Sequence, residues 1–113
     1  MPLVGQVVVC GDSRSYLTAL LTLIEEDLRS FAKERNLAPE KGASLHHHPA
    51  VVDFIGQQIE EMNKSLPKYE TIKKFRIIPH EFTEESGEMT PTMKIKRNVV
   101  FQKYRDLIES MYE

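Results

Sequence analysis

Tryptophan is absent, cysteine occurs once, and glycine only five times in 113 residues. The lone Cys10 excludes an internal disulfide and suits a reducing compartment. It lies in an apolar, strand-like run with no base or cation beside it to make it a nucleophile. It therefore reads as a small core residue rather than a catalytic thiol. No apolar run approaches the length needed to span a bilayer. Met1-Pro2-Leu3 has neither the charged start nor the long apolar middle of a signal peptide. Neither charge sign dominates: 15 Lys+Arg against 17 Asp+Glu give a net charge of −2. A protein that grips a phosphate backbone shows a basic domain, so no nucleic-acid partner is expected. Internal repeats and low-complexity stretches are missing too.

What remains suffices for one domain. Hydrophobic residues make up 41% and charged residues 28%, a soluble globular profile. The length permits a real core but leaves little room for a separate substrate-binding domain. Val7–Cys10 and Tyr16–Ile24 are apolar runs, and Gly11-Asp12-Ser13-Arg14-Ser15 between them is turn chemistry, which predicts a β-hairpin. Both runs are nearly continuously apolar, so both faces are expected to be covered. Glu25–Asn36 reads as a helix with Leu28, Phe31 and Ala32 on one face, acids first and cations last. Leu37–Leu45 is a loop punctuated by Pro39 and Gly42. Pro49–Leu66 is the longest helix, with a stripe of Val52, Ile55, Ile59, Met62 and Leu66 as core filling. Lys73–Ile78 reads as a strand with Phe75 and Ile77 on one face. A last helix, Arg97–Tyr112, places Val100, Tyr104, Leu107, Ile108 and Met111 together. The expected class is α+β: a small mixed sheet, hairpin plus third strand, packed with three helices in the order β-β-α-α-β-α.

Candidate chemistry is sparse. His46-His47-His48 are metal-capable, but adjacent side chains do not converge easily and no partner ligand accompanies them. No metal is expected there, and Pro49 marks the start of a helix. Glu81, Glu84, Glu85 and Glu88 read as an exposed, solvated loop, since nothing builds them into a cleft. Gly11 alone does not make a phosphate loop. The stretch Glu85–Arg97 is different. It holds a glycine, two threonines bracketing Pro91, and three cations within four residues. Pro91 fixes its own φ and pushes Thr90 towards an extended conformation. Ile95 grips the core, so Lys94 and Lys96 project outward. A mobile arm presenting a lysine is expected, and lysine is a point charge suited to carboxylate or phosphate.

The run Gly87-Glu88-Met89-Thr90-Pro91-Thr92-Met93-Lys94-Ile95-Lys96-Arg97 resembles the C-terminal signature of AMP-forming acyl-CoA synthetases. It is most similar to the long-chain fatty-acid:CoA ligase branch. Most of the wider adenylate-forming superfamily has glycine where Met93 stands. The resemblance extends to Val7–Arg14, Tyr16–Leu20, Lys68–Phe75 and Tyr104–Ile108.

It implies that residues 1–113 form the C-terminal lid domain of such a ligase, with the large ATP- and acid-binding domain absent. Lys94 matches the lysine of the adenylation half-reaction. Thr90 and Thr92 shape the loop, and Arg97 anchors it. ATP, accompanied by Mg2+, and CoA are the implied substrates alongside a fatty acid, none of them bound to the isolated domain. The missing N-terminal domain is the implied partner. A cytoplasmic location follows, with peripheral membrane attachment of the full-length enzyme left open. Two alternatives stand beside this. One is a stand-alone, non-catalytic α+β interaction module, which predicts Lys94 held in a surface salt bridge; the ligase reading predicts a loose Thr90–Lys96 segment. The other is the same domain serving a different carboxylic acid.

Overall fold

A computed structural model describes residues 2–11, 14–37 and 45–112. Three strands form one sheet: β1 (Val4–Cys10), β2 (Leu17–Leu23) and β3 (Ile72–Ile78). Their order is β1-β2-β3, with β1 antiparallel and β3 parallel to the central strand. The hairpin is therefore as expected, although Asp12 and Ser13 of its turn lie outside the described residues. A parallel neighbour requires a crossover. That crossover carries α1 (Glu25–Glu34) and α2 (Pro49–Asn63). The predicted loop with Pro39 and Gly42 falls mostly on residues 38–44, outside the described ones.

The central strand explains its own composition. Ala19, Leu21 and Leu23 face α1 and α2, joining Leu28, Phe31, Val51, Ile55 and Ile77 in one core. Leu20 faces the opposite way, with Val8, Cys10 and Ile78, and meets a second core. Both faces are covered, so β2 carries no polar side for water. Its two threonines are fully buried. The Thr22 hydroxyl donates to Gln6 (2.8 Å) and that of Thr18 to Tyr112 (3.1 Å). Asn63 closes the crossover: its amide nitrogen donates to the carbonyl of Ile72 (2.9 Å) and its oxygen accepts the amide of Ile72 (3.0 Å).

The second core is closed by Phe82, Met89, α3 (Arg97–Lys103) and α4 (Arg105–Ser110). Here the single long C-terminal helix read from periodicity is corrected. The helix breaks at Tyr104 (φ −108°, ψ 23°), the residue whose hydroxyl is drawn to Glu88 and His80. Among the described residues there are four α-helices, not three, within the same α+β class. Val100, Ile108 and Met111 are buried as expected, while Tyr104 and Leu107 are half-buried. A second correction concerns Met62. It lies at the exposed edge of the α2 stripe, not in the core, one residue before α2 ends at Asn63.

Candidate functional site: a hairpin tip presenting Lys94

The segment after β3 folds back through an antiparallel bridge between Met89 and Ile95. Between them the chain closes a tight loop. The amide of Thr90 donates to the carbonyl of Lys94 (2.8 Å), and that of Met93 to the carbonyl of Thr90 (2.9 Å). The Thr90 hydroxyl accepts the amide of Lys94 (3.0 Å) and lies 3.0 Å from the Thr92 hydroxyl. Pro91 stands at the second turn position, where its fixed φ is favourable. Met93 has φ +66°, in the left-handed region. Three-residue hairpin loops end on such a residue, ordinarily glycine. The expected loose arm is corrected to a closed hairpin, because the Thr90 hydroxyl satisfies the Lys94 amide and meets the hydroxyl of Thr92.

Lys94 stands at this tip, exposed. Among the described residues no carboxylate lies within ion-pair distance of its ammonium. The salt bridge required by the interaction-module reading is therefore not formed among the described residues. Ile95 is half-buried against the second core, and Lys96 is exposed on its other side, as the alternation predicted. The neighbouring Arg97 has another task. The Arg97 guanidinium donates to the carbonyl of Val9 (2.6 Å) and lies 5.0 Å from the Phe101 ring centroid. This ties the exit of the hairpin to the outer edge of β1.

Since Met93 is 69% exposed, its side chain adds little packing, and its backbone dominates its energetics. A β-branched residue cannot adopt this φ without strain. Met93→Val is expected to lower stability by about 1–2 kcal/mol, read by urea denaturation. Met93→Gly releases the strain but frees the unfolded chain, so stability should stay within about 1 kcal/mol.

Glu88, one residue before the bridge, overturns the solvated-loop reading. It is fully buried. The hydroxyl of Ser86 donates to one carboxylate oxygen (2.5 Å) and that of Tyr104 to the other (2.6 Å). The Lys103 ammonium is 3.4 Å away, and His80 lies 3.0 Å from the Tyr104 oxygen. Burial pushes the carboxyl upward, but the two hydroxyls and the nearby positive charge outweigh it and hold it below the usual range. Burial, and then the Glu88 carboxylate, push the Tyr104 phenol well above its ordinary value. No spacing rule in the sequence marks Glu88 as different from Glu81, Glu84 and Glu85, which are exposed. A depressed folded pKa contributes stability above the unfolded value and loses it as pH falls through the folded value. Denaturation midpoints should therefore drop below about pH 4.3, and Glu88→Gln should flatten that fall.

The histidines do not converge. His46 Nε2 meets Glu25 Oε1 at 2.6 Å, His47 Nε2 meets the carbonyl of Ile77 at 3.1 Å, and His48 Nδ1 accepts the amide of Ala50 at 3.1 Å. His48 is thus the cap of α2, with Pro49 in its first turn. Cys10 is buried in the second core.

A family model described as AMP-binding enzyme C-terminal domain matches residues 1–113. The chain belongs to this family. Among curated relatives, this C-terminal domain is 40% identical over 114 residues to the long-chain-fatty-acid–CoA ligase FadD15 of Mycobacterium tuberculosis, covering 98% of this chain and 19% of the relative. It is 32% identical to the long-chain-fatty-acid–CoA ligase ACSBG1 of Bos taurus, covering all of this chain and 18% of that protein. The domain thus spans about a fifth of the relatives it matches. Among solved structures it is similar to the A-PCP didomain of the carboxylic acid reductase from Segniliparus rugosus in complex with AMP. There the TM-score is 0.73 at 27% identity, over 98% of this chain and 14% of that one. The adenylation domain of a carboxylate reductase from Mycobacterium chelonae gives 0.66 at 29%, covering 98% and 16% respectively.

Proposed function

We propose that this domain serves an AMP-forming long-chain fatty-acid:CoA ligase and delivers Lys94 to the adenylation step. The observation that carries the reading is an exposed lysine with no ion-pair partner among the described residues, held at the tip of a closed hairpin. In that step a carboxylate oxygen attacks the α-phosphorus of ATP. The new O–P bond forms as the bond to the β-phosphate breaks, and pyrophosphate leaves with the electron pair. Two anions must first be brought together, and an ammonium between them offsets their repulsion. The same charge then stabilises what gathers on the phosphoryl oxygens. In the second step the CoA sulfur attacks the acyl carbonyl, a C–S bond forms, and AMP departs. Lys94 has no part in that exchange. Thr90 and Thr92 shape the tip, and Arg97 anchors it.

ATP, the acid and CoA are bound through a larger N-terminal domain, against which this one moves as a lid. Mg2+ enters with ATP as part of the substrate. The lone buried cysteine suits a cytoplasmic enzyme of lipid metabolism, and no described helix is long and apolar enough to cross a membrane. The reductase neighbours keep one alternative in view, the same domain serving another carboxylic acid, with pyrophosphate exchange across a panel of acids as the discriminating measurement. The isolated chain, given ATP, palmitate and CoA, should form no acyl-CoA by mass spectrometry. Turnover by these residues alone would overturn the division of labour.

A further inference from the structure

The hydrogen bonds inside the hairpin set the shape of its tip but not where the tip stands on the domain. That depends on what fastens its base. We propose that the buried Glu88 carboxylate is a positioning residue that sets where Lys94 is presented, an inference that rests on the adenylation reading above. Glu88 belongs to both strands of the hairpin: its own, and through its carbonyl, which accepts the amide of Lys96 (2.8 Å), the returning one. Its side chain fastens the pair to the helical layer at the α3–α4 break, through Tyr104 and Lys103. Ser86 holds the second oxygen from the opposite side.

A carboxylate wholly out of water is costly unless paired, and an apolar residue fills a core more cheaply. What the ionic clamp adds is direction. Lys94 stands two residues beyond the Glu88–Lys96 pivot, roughly 7 Å at strand rise, so a tilt of roughly 8° moves it by about 1 Å. A shift of that size costs on the order of 10²-fold when reacting groups must be aligned.

The experiment uses the full-length enzyme that carries this domain and measures its half-reactions separately: acid-dependent ATP–pyrophosphate exchange, and thioester formation from supplied acyl-adenylate. Glu88→Ala is expected to lower kcat of adenylation about 10–100-fold, with KM for ATP and acid within about twofold and thioester formation within about threefold. Glu88→Gln still accepts the Tyr104 hydroxyl and should recover adenylation to within about fivefold of the parent. Should Glu88→Ala fail to fold, Tyr104→Phe removes one of the two tethers, and the His80 contact with it, and should slow adenylation about 3–10-fold, sparing the thioester step. His46→Gln disturbs the half-buried His46–Glu25 pair across the sheet and should leave the ratio of the half-reactions at its parental value. Equal loss of both half-reactions in the Glu88 and Tyr104 variants, or no loss of adenylation, overturns the positioning role. Lys94→Ala run in parallel separates the two readings. If it abolishes adenylation while Glu88→Ala leaves adenylation at the parental rate, only the positioning role falls; if Lys94→Ala is itself fully active, the reading beneath falls with it.

Discussion

Lys94→Ala in the full-length enzyme is expected to slow acyl-adenylate formation by roughly two to four orders of magnitude, the scale for removing a preorganised charge. That is about 3–5 kcal/mol of transition-state stabilisation. Thioester formation from supplied acyl-adenylate should be preserved, because no second anion has to be neutralised there. The asymmetry matters more than the size. A mutation that merely unfolded the domain would depress both steps. Lys94 is exposed and has no ion-pair partner among the described residues, so its removal leaves no buried group unsatisfied and the fold should be unaffected. Lys94→Arg keeps the charge but replaces a compact ammonium with a planar fork, and should restore only part of the rate. Acid-dependent pyrophosphate exchange read beside a direct thioesterification assay decides the matter. Equal loss in both would remove Lys94 from the adenylation step.

The parts of this domain that could be read in the sequence are those where one residue's chemistry suffices. A β-branched run between turn residues gave the hairpin, and the lack of polar alternation in Leu17–Leu23 indicated cover on both faces. Acids before Leu28 and cations after Ala32 marked the polarity of α1. The exposure of Lys94 was legible because Ile95 beside it grips the core and alternation turns its neighbours outward. The missed features all depend on residues distant in sequence. Glu88 is buried by Tyr104, sixteen residues later, and the same contact coincides with the break in the last helix. Its acidic neighbours give no hint, since charge alone predicts exposure and only a partner reverses it. Met62 fits the stripe of α2, but periodicity does not say where the facing layer ends. The left-handed φ of Met93 was hidden for another reason: methionine is an unusual choice there, and the hydrogen bonds that impose it come from Thr90 and Lys94.

Leu20→Ala should be the most damaging single truncation in the core, costing about 3–5 kcal/mol. The side chain is fully buried on the central strand, paired with Val8 on one side and Arg76 on the other. Its neighbours in the second core come from both outer strands, from the hairpin and from α3 and α4, so no single element can relax into the space left. Domains of this size have roughly 5–15 kcal/mol in all, and each kilocalorie lost lowers Tm by about 4–8 °C. A fall of at least 10 °C is therefore expected in calorimetry. Met62→Ala, at the exposed edge of α2, should cost less than about 1 kcal/mol. The contrast tests whether the sheet truly has two dry faces: comparable losses at both positions would mean that the layer beneath the hairpin is not packed. The same core also carries function. Met89 and Ile95, the two bridge residues that frame the Lys94 tip, pack in it with Leu20. A cavity there loosens the platform from which the lysine is offered, so any folded Leu20→Ala enzyme should lose adenylation ahead of thioester formation.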